Sequence, residues 1–359
     1  MADAILVLAW LVLAHVVADF VLQSGRIASA KSSHGSRALV GLAAHGLVVT
    51  LCVMPVGFAW GERGWWFVLM TGLSHVLIDR TKIVLTRRAA AGALREAHGR
   101  HEGPQPPEHL GRAWTPRPAA LFLADQGAHL AVAGGGWAVL LAGVPFAPGW
   151  TSAVERWLGG WDRGVVHGVV SVFVVLVALA IVNIRAASLF VGVLVRPVEV
   201  SAGGEHRWGG PAAPAVDPLA AAAAMTPDAT TRPATVAGSV RRWSIRLGPL
   251  DAMVTAEPEP GVPPPASAAA SSAAPAPLGA SARVGATIGI LERILIVVFV
   301  LTGTDVAIGF VVAAKTLARF RLLDDRDFAE YYLLGTLASV SVAIVSALIG
   351  RAALGALLG

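Results

Sequence analysis

The sequence predicts an all-α, polytopic helical membrane protein with about eight transmembrane helices, seven if one long apolar block is a single helix. Three observations predict it. The chain is 55% hydrophobic and 14% charged, where soluble domains carry about 25% charged residues. Its apolar runs reach the length of about 20 residues that a bilayer crossing needs. Its lysines and arginines collect in alternate segments between those runs, as the positive-inside rule requires.

Taken in order, apolar runs cover 4–22, 38–59, 65–85, 119–145 and 164–184. The first lacks a basic leader and a small-x-small cleavage site, so it reads as a retained membrane helix. A further block, 286–320, is too long for one simple span and is interrupted by Leu-Thr-Gly-Thr-Asp at 301–305. It is expected to split into two short helices around a tight turn. The last run covers 329–357.

Between them, 197–282 is rich in Pro, Ala, Gly and Ser and has no apolar face to bury, so it reads as a disordered linker. Its basic stretch 239–248, Ser-Val-Arg-Arg-Trp-Ser-Ile-Arg-Leu-Gly, reads as part of that solvated linker. The expected organisation is an N-terminal five-helix membrane domain (1–196), the linker (197–282) and a C-terminal membrane domain of two to three helices (283–359).

The segment 23–37 carries Arg26, Lys31 and Arg37 with no acid, and 80–118 carries eight Lys and Arg residues against Glu96, Glu102 and Glu108. Both are therefore expected on the cytoplasmic side, with the N-terminus outside and the linker inside. The net charge of +5 is explained in this way, not by nucleic-acid binding. Cys52 is the single cysteine, which excludes an internal disulfide and a cysteine zinc cluster. Trp60, Trp65 and Trp66 read as an interfacial anchor where the second run ends.

Ionisable groups inside the apolar runs carry the chemistry. His15 and Asp19, His75 and Asp79, and Asp125 and His129 are each spaced i, i+4, and His45 stands alone. On a helix this spacing puts each pair on one face, one turn apart. Because successive spans alternate in direction, all seven residues fall in the cytoplasmic half of the membrane, roughly 5–15 Å below the surface at the helical rise. Imidazole and carboxylate are the ligands of zinc, manganese or iron. Seven candidates suffice for two metals, or for one metal with supporting hydrogen bonds and a general base. The competing reading is that each pair is an Asp–His hydrogen bond gluing helices together.

Other polar residues point less sharply. His98, His101 and His109 lie with three glutamates in 86–118, which reads as a long solvated loop, and His34, His167 and His206 have no patterned partner. Lys82, Glu292, Arg293, Lys315 and Arg319 are expected near the cytoplasmic surface. There they would hold a lipid headgroup or pair with one another.

The motifs Ala-His-Val-Val-Ala-Asp-Phe-Val-Leu-Gln, Ala-Ala-His-Gly, Ser-His-Val-Leu-Ile-Asp-Arg-Thr-Lys and Phe-Leu-Ala-Asp-Gln-Gly-Ala-His-Leu resemble the bacterial integral membrane family known as domain of unknown function 3307. The resemblance covers about 5–135, and 284–340 is similar to the tail of longer members. It implies a membrane fold and a bacterial inner-membrane location with the seven polar residues as a unit, and no reaction.

The function expected from the residues is an intramembrane His/Asp metal site near the cytoplasmic face, serving a metal-dependent hydrolase of a lipid or phosphoester. The alternatives are a metal or proton-coupled transporter, or a structural or sensory protein with Asp–His pairs as helix glue. The expected partner is the lipid bilayer.

Overall fold

The computed structural model describes residues 2–99, 112–195, 198–199, 242–247, 250–255, 278–320, 323–324 and 326–359. Apart from two short antiparallel strand pairs, the described elements are helical.

Helix α1 (Ala2–Val17) runs without a break into a π-helical turn (Ala18–Leu22). A short α2 (Gly25–Lys31) follows, started by Ser24, whose Oγ accepts from the Ile27 amide. Helices α3 (Gly35–Trp60) and α4 (Glu62–Gly99) form a tight hairpin around Gly61, whose φ of 61° suits a residue without Cβ. Small residues line this hairpin. A Cβ on Gly46 would press on Val76 and one on Gly72 on Thr50, so glycine lets the two backbones approach closely.

Helix α5 (Arg117–Leu140) returns, and amphipathic α6 (Pro148–Leu158) lies between it and α7 (Arg163–Ile181). A second π-helical turn (Val182–Ala186) joins α7 to α8 (Ala187–Val195). Helices α9 (Leu278–Thr302), α10 (Ala307–Ala318) and α11 (Arg326–Leu358) complete the chain.

Helix α1 is the axis of the bundle. Leu11 and Ala14 pack with Val53 and Val56 of α3 and Phe67 and Val68 of α4. Leu13, Val16 and Phe20 meet Val174 of α7. Ile5, Leu6 and Ala9 lie against the core shared by α7, α9 and α11, which includes Leu179, Ile296 and Ala343. The outward faces carry exposed Leu73, Leu77, Val139, Phe173 and Ile349, the pattern of helices solvated by lipid.

Among the described residues, five helices are long and apolar enough to cross a membrane: Ala4–Leu22, Gly35–Trp60, Arg163–Val195, Gly285–Thr302 and Ala329–Leu358. The expected count of eight goes beyond these five. Helices α4 and α5 are long, but they carry His75, Asp79, Arg80, Lys82, Asp125 and His129, which lower their hydropathy. The block 286–320 does break after Thr302, where Gly303 takes a φ of 73°. Its second half, α10, has 12 residues and is about 18 Å long, short of the hydrocarbon thickness of about 30 Å. It folds back along α9, since Lys315 pairs with Glu292.

Three further expectations change. Helix α4 continues to Gly99, so 86–99 is helical where a loop is expected. Strand β1 (Arg112–Ala113) pairs with β2 (Val198–Glu199). Strand β3 (Arg242–Leu247) pairs antiparallel with β4 (Leu250–Thr255), with Leu247 opposite Leu250, inside the stretch expected to be linker throughout. The alternation Trp-Ser-Ile-Arg-Leu at 243–247 has the period of a strand. Residues 278–282, also expected to be linker, begin α9, and the rest of the linker lies outside the described residues, as do His101, His109, His206, Glu102 and Glu108.

One end of the bundle is aromatic. Trp60 donates to the Val144 carbonyl and stacks near Phe146, with centroids 4.6 Å apart. The Ala147 amide bonds the Ala59 carbonyl, tying the start of α6 to the end of α3. Trp65 and Trp66 lie on α4 beside this end, and Trp157 and Trp161 are 81% and 72% exposed.

Candidate metal centre

The structure brings all seven predicted His and Asp residues into one buried cluster. Asp19 comes from the π-helical turn after α1, His15 from α1, His45 from α3, His75 and Asp79 from α4, and Asp125 and His129 from α5. Each is less than one tenth exposed. His45 stands ten residues into α3 and Asp125 eight into α5, about 12–15 Å from the α2 end of those helices.

The local reason is the i, i+4 spacing together with the first π-helical turn. Asp19 lies within that turn and faces His45 of α3 and His75 of α4. Such turns recur at functional sites.

Asp19 Oδ1 is 3.4 Å from His45 Nε2 and 3.3 Å from His75 Nε2, and these two nitrogens are 3.0 Å apart. The three atoms form a nearly equilateral triangle. Two ligands at zinc–nitrogen distance on a tetrahedral ion stand about 3.3 Å apart. Asp19 Oδ1 has no aligned hydrogen bond, and neither does His45 Nδ1. Two buried groups so placed are costly unless a cation or proton meets them.

The remaining members extend the cluster. Asp79 Oδ2 lies 3.6 Å from His45 Nε2 and accepts from Lys31 Nζ at 2.7 Å. Lys31 also donates to Gln23 Oε1 at 2.6 Å. Asp125 Oδ2 accepts from Lys82 Nζ at 2.6 Å and from Gln126 Nε2 at 3.0 Å. Gln126 Oε1 is 3.1 Å from His15 Nε2, and His15 Nδ1 is 3.9 Å from Asp19 Oδ1. The His75 and His129 rings stack with centroids 3.9 Å apart.

Lysine pairing is uneven. Asp79 and Asp125 each have a lysine, whereas among the described residues Asp19 faces only imidazoles. A small cavity on the far side of the cluster from α2 is lined mainly by apolar groups, among them Leu11, Ala14, Val49, Val53 and Ala133.

Sequence spacing places Lys82 beside Asp79, but its ammonium crosses to Asp125 on α5, and Asp79 takes Lys31 of α2 instead. Lys31, Gln23 and Gln126 are site residues that the His/Asp pattern alone does not select. The only signal for Gln126 is its position next to Asp125 within an apolar run.

Of the residues expected to hold a headgroup or an ion pair, Lys315 pairs with Glu292, and Arg319 lies over the Tyr332 ring at 5.5 Å. Arg293 is buried. Its Nε donates to the Asn183 carbonyl in the second π-helical turn, and its terminal nitrogens donate to Ser339 and Ser188.

Residues 7–134 match the family described as Protein of unknown function (DUF3307). That segment holds all seven cluster residues with Lys31, Lys82 and Gln126. No curated protein and no solved structure matches the chain.

Proposed function

We propose that this chain is an integral membrane protein that holds a divalent transition-metal ion between Asp19, His45 and His75 and hydrolyses a lipid-like phosphoester or acyl ester there. The observation that supports this most is the triangle of Asp19 Oδ1, His45 Nε2 and His75 Nε2, with edges of 3.0–3.4 Å and an orphaned carboxylate oxygen. Mixed nitrogen and oxygen donors suit zinc, manganese or iron over magnesium or calcium. When bound, such an ion polarises an ester and acidifies a water.

The chain's own residues do the rest. His15 and Gln126 fix Asp19 relative to α5, and Lys31 and Lys82 hold the other two carboxylates. In the reaction, water adds its oxygen to the phosphorus or acyl carbon. The ester oxygen leaves with the proton that the attacking water gives up. The substrate enters from the α2 end, taken as cytoplasmic because Arg26, Lys31, Arg80, Arg87 and Arg88 gather there. In this reading the protein sits in the bacterial inner membrane with its N-terminus outside.

The direct 3.0 Å contact between His45 and His75 favours a second reading, in which the cluster is hydrogen-bonded helix glue. A transporter is favoured less, because the adjoining cavity is largely apolar and the cluster lies off the middle of the bundle.

Elemental analysis of the purified full-length protein separates these readings. Asp19→Asn should weaken zinc or manganese binding at least about tenfold, and both it and His75→Ala should abolish release of product from micellar ester probes. Unchanged metal content in both variants would leave only the helix-glue reading.

A further inference from the structure

We infer a second divalent-cation position, formed by Asp125, His129 and Asp79, beside the first. The inference rests on the metal reading above and extends it from one ion to two.

Asp125 Oδ1 and His129 Nε2 are 3.5 Å apart on one face of α5. Neither atom has a hydrogen-bond partner, and the two residues are 4% and 6% exposed. A buried acceptor oxygen and a buried ring nitrogen that face each other without an aligned hydrogen bond are both unsatisfied. Their separation is that of two donors sharing one ion, about 3.3 Å on a tetrahedral centre. Asp79 supplies the third donor, since ligand atoms of Asp79, Asp125 and His129 all lie within 4.8 Å of one another.

The hydrogen bonds divide the Asp125 carboxylate by oxygen. Lys82 and Gln126 both donate to Oδ2. Oδ1 is left facing His129. The lysine therefore neutralises and orients the carboxylate from behind without occupying the donor atom. Outer partners of metal ligands act in this way. Asp79 differs, because Lys31 donates to Oδ2, the oxygen that also faces His45.

The two positions are adjacent. His75 of the first stacks on His129 of the second at 3.9 Å between centroids, and Asp79 Oδ2 also lies 3.6 Å from His45 Nε2. Asp79 thus lies between the two positions. Side-by-side cations clamp the attacking and leaving oxygens of a displacement, which suits a phosphoester better than one ion does.

The test counts ions. Full-length protein in detergent micelles is stripped with chelator and reloaded with manganese(II) alone. Two equivalents and a spin-coupled paramagnetic resonance spectrum are expected. Asp125→Asn and His129→Gln should each retain one equivalent with an uncoupled spectrum. Gly127→Ala, whose added Cβ meets open space, should keep two and so controls for folding. One equivalent in the unaltered protein, lost in Asp19→Asn but kept in Asp125→Asn, would overturn the second position and leave the first. One equivalent with the opposite response would overturn the first alone. No bound manganese would overturn both.

Discussion

Asp79 brings its own counter-ion from a neighbouring helix, and that pairing makes the residue testable without reference to metal. Removing one member of a buried ion pair strands the other and costs about 3–5 kcal/mol. Asp79→Asn should lower stability on that scale, measured by thermal unfolding in micelles. Lys31→Met in the same chain should recover much of the loss, and Lys82→Met should not, because Lys82 pairs with Asp125. Rescue by Lys82→Met alone would contradict the pairing. The seven His and Asp residues were legible in the sequence, since charge inside an apolar run is expensive and i, i+4 spacing fixes the face. Lys31 and Gln126 were not. Their roles depend on which helices become neighbours, and Lys82 misleads because the nearest acid along its own helix is not the one its long side chain reaches.

At the scale of elements, α2 is held to the bundle by a glycine. A Cβ on Gly41 of α3 would overlap the backbone of Ala30 and Lys31, which cannot move aside as a flexible side chain can. Gly41→Ala should therefore unseat α2 and release Lys31, read as faster hydrogen exchange at 25–31 and lower thermal stability. Gly127→Ala, with open space at its Cβ, should be neutral or stabilising. Equal effects of the two would refute the close packing. Hydropathy announced the long helices but not their ends. The stretch Arg87 to Gly99 is alanine-rich and helix-prone yet polar, so α4 outruns its apolar segment. Helices α2 and α6 are too short or too mixed in character to register as spans. The hairpin of β3 and β4 is visible only as period-two alternation inside a low-complexity stretch.

At the scale of the whole molecule, Arg293 joins the two ends of the chain. It carries no carboxylate partner among its hydrogen bonds, and instead takes the Asn183 carbonyl with Ser188 and Ser339. If a protease site is introduced at 220 and cut, the two halves should still co-purify, because α7 and α8 pack on α9 and α11. Arg293→Ala should let them separate, and continued co-purification would show that apolar packing alone suffices. The common level of the cluster was readable beforehand from alternating helix direction. The number of crossings was not, because α10 has the hydropathy of a span at 12 residues. The aromatic end of the bundle gives the protein an intrinsic reporter of sidedness. Trp60, Trp65, Trp66, Trp150, Trp157 and Trp161 gather at the end away from the cluster, and Trp114 lies at the other. Fluorescence from the helical bundle is therefore lopsided. With the bundle spanning a sealed vesicle as proposed, iodide, which does not cross it, should darken most of that emission from one face and little from the other, so the orientation of the unlabelled chain is written in its own emission.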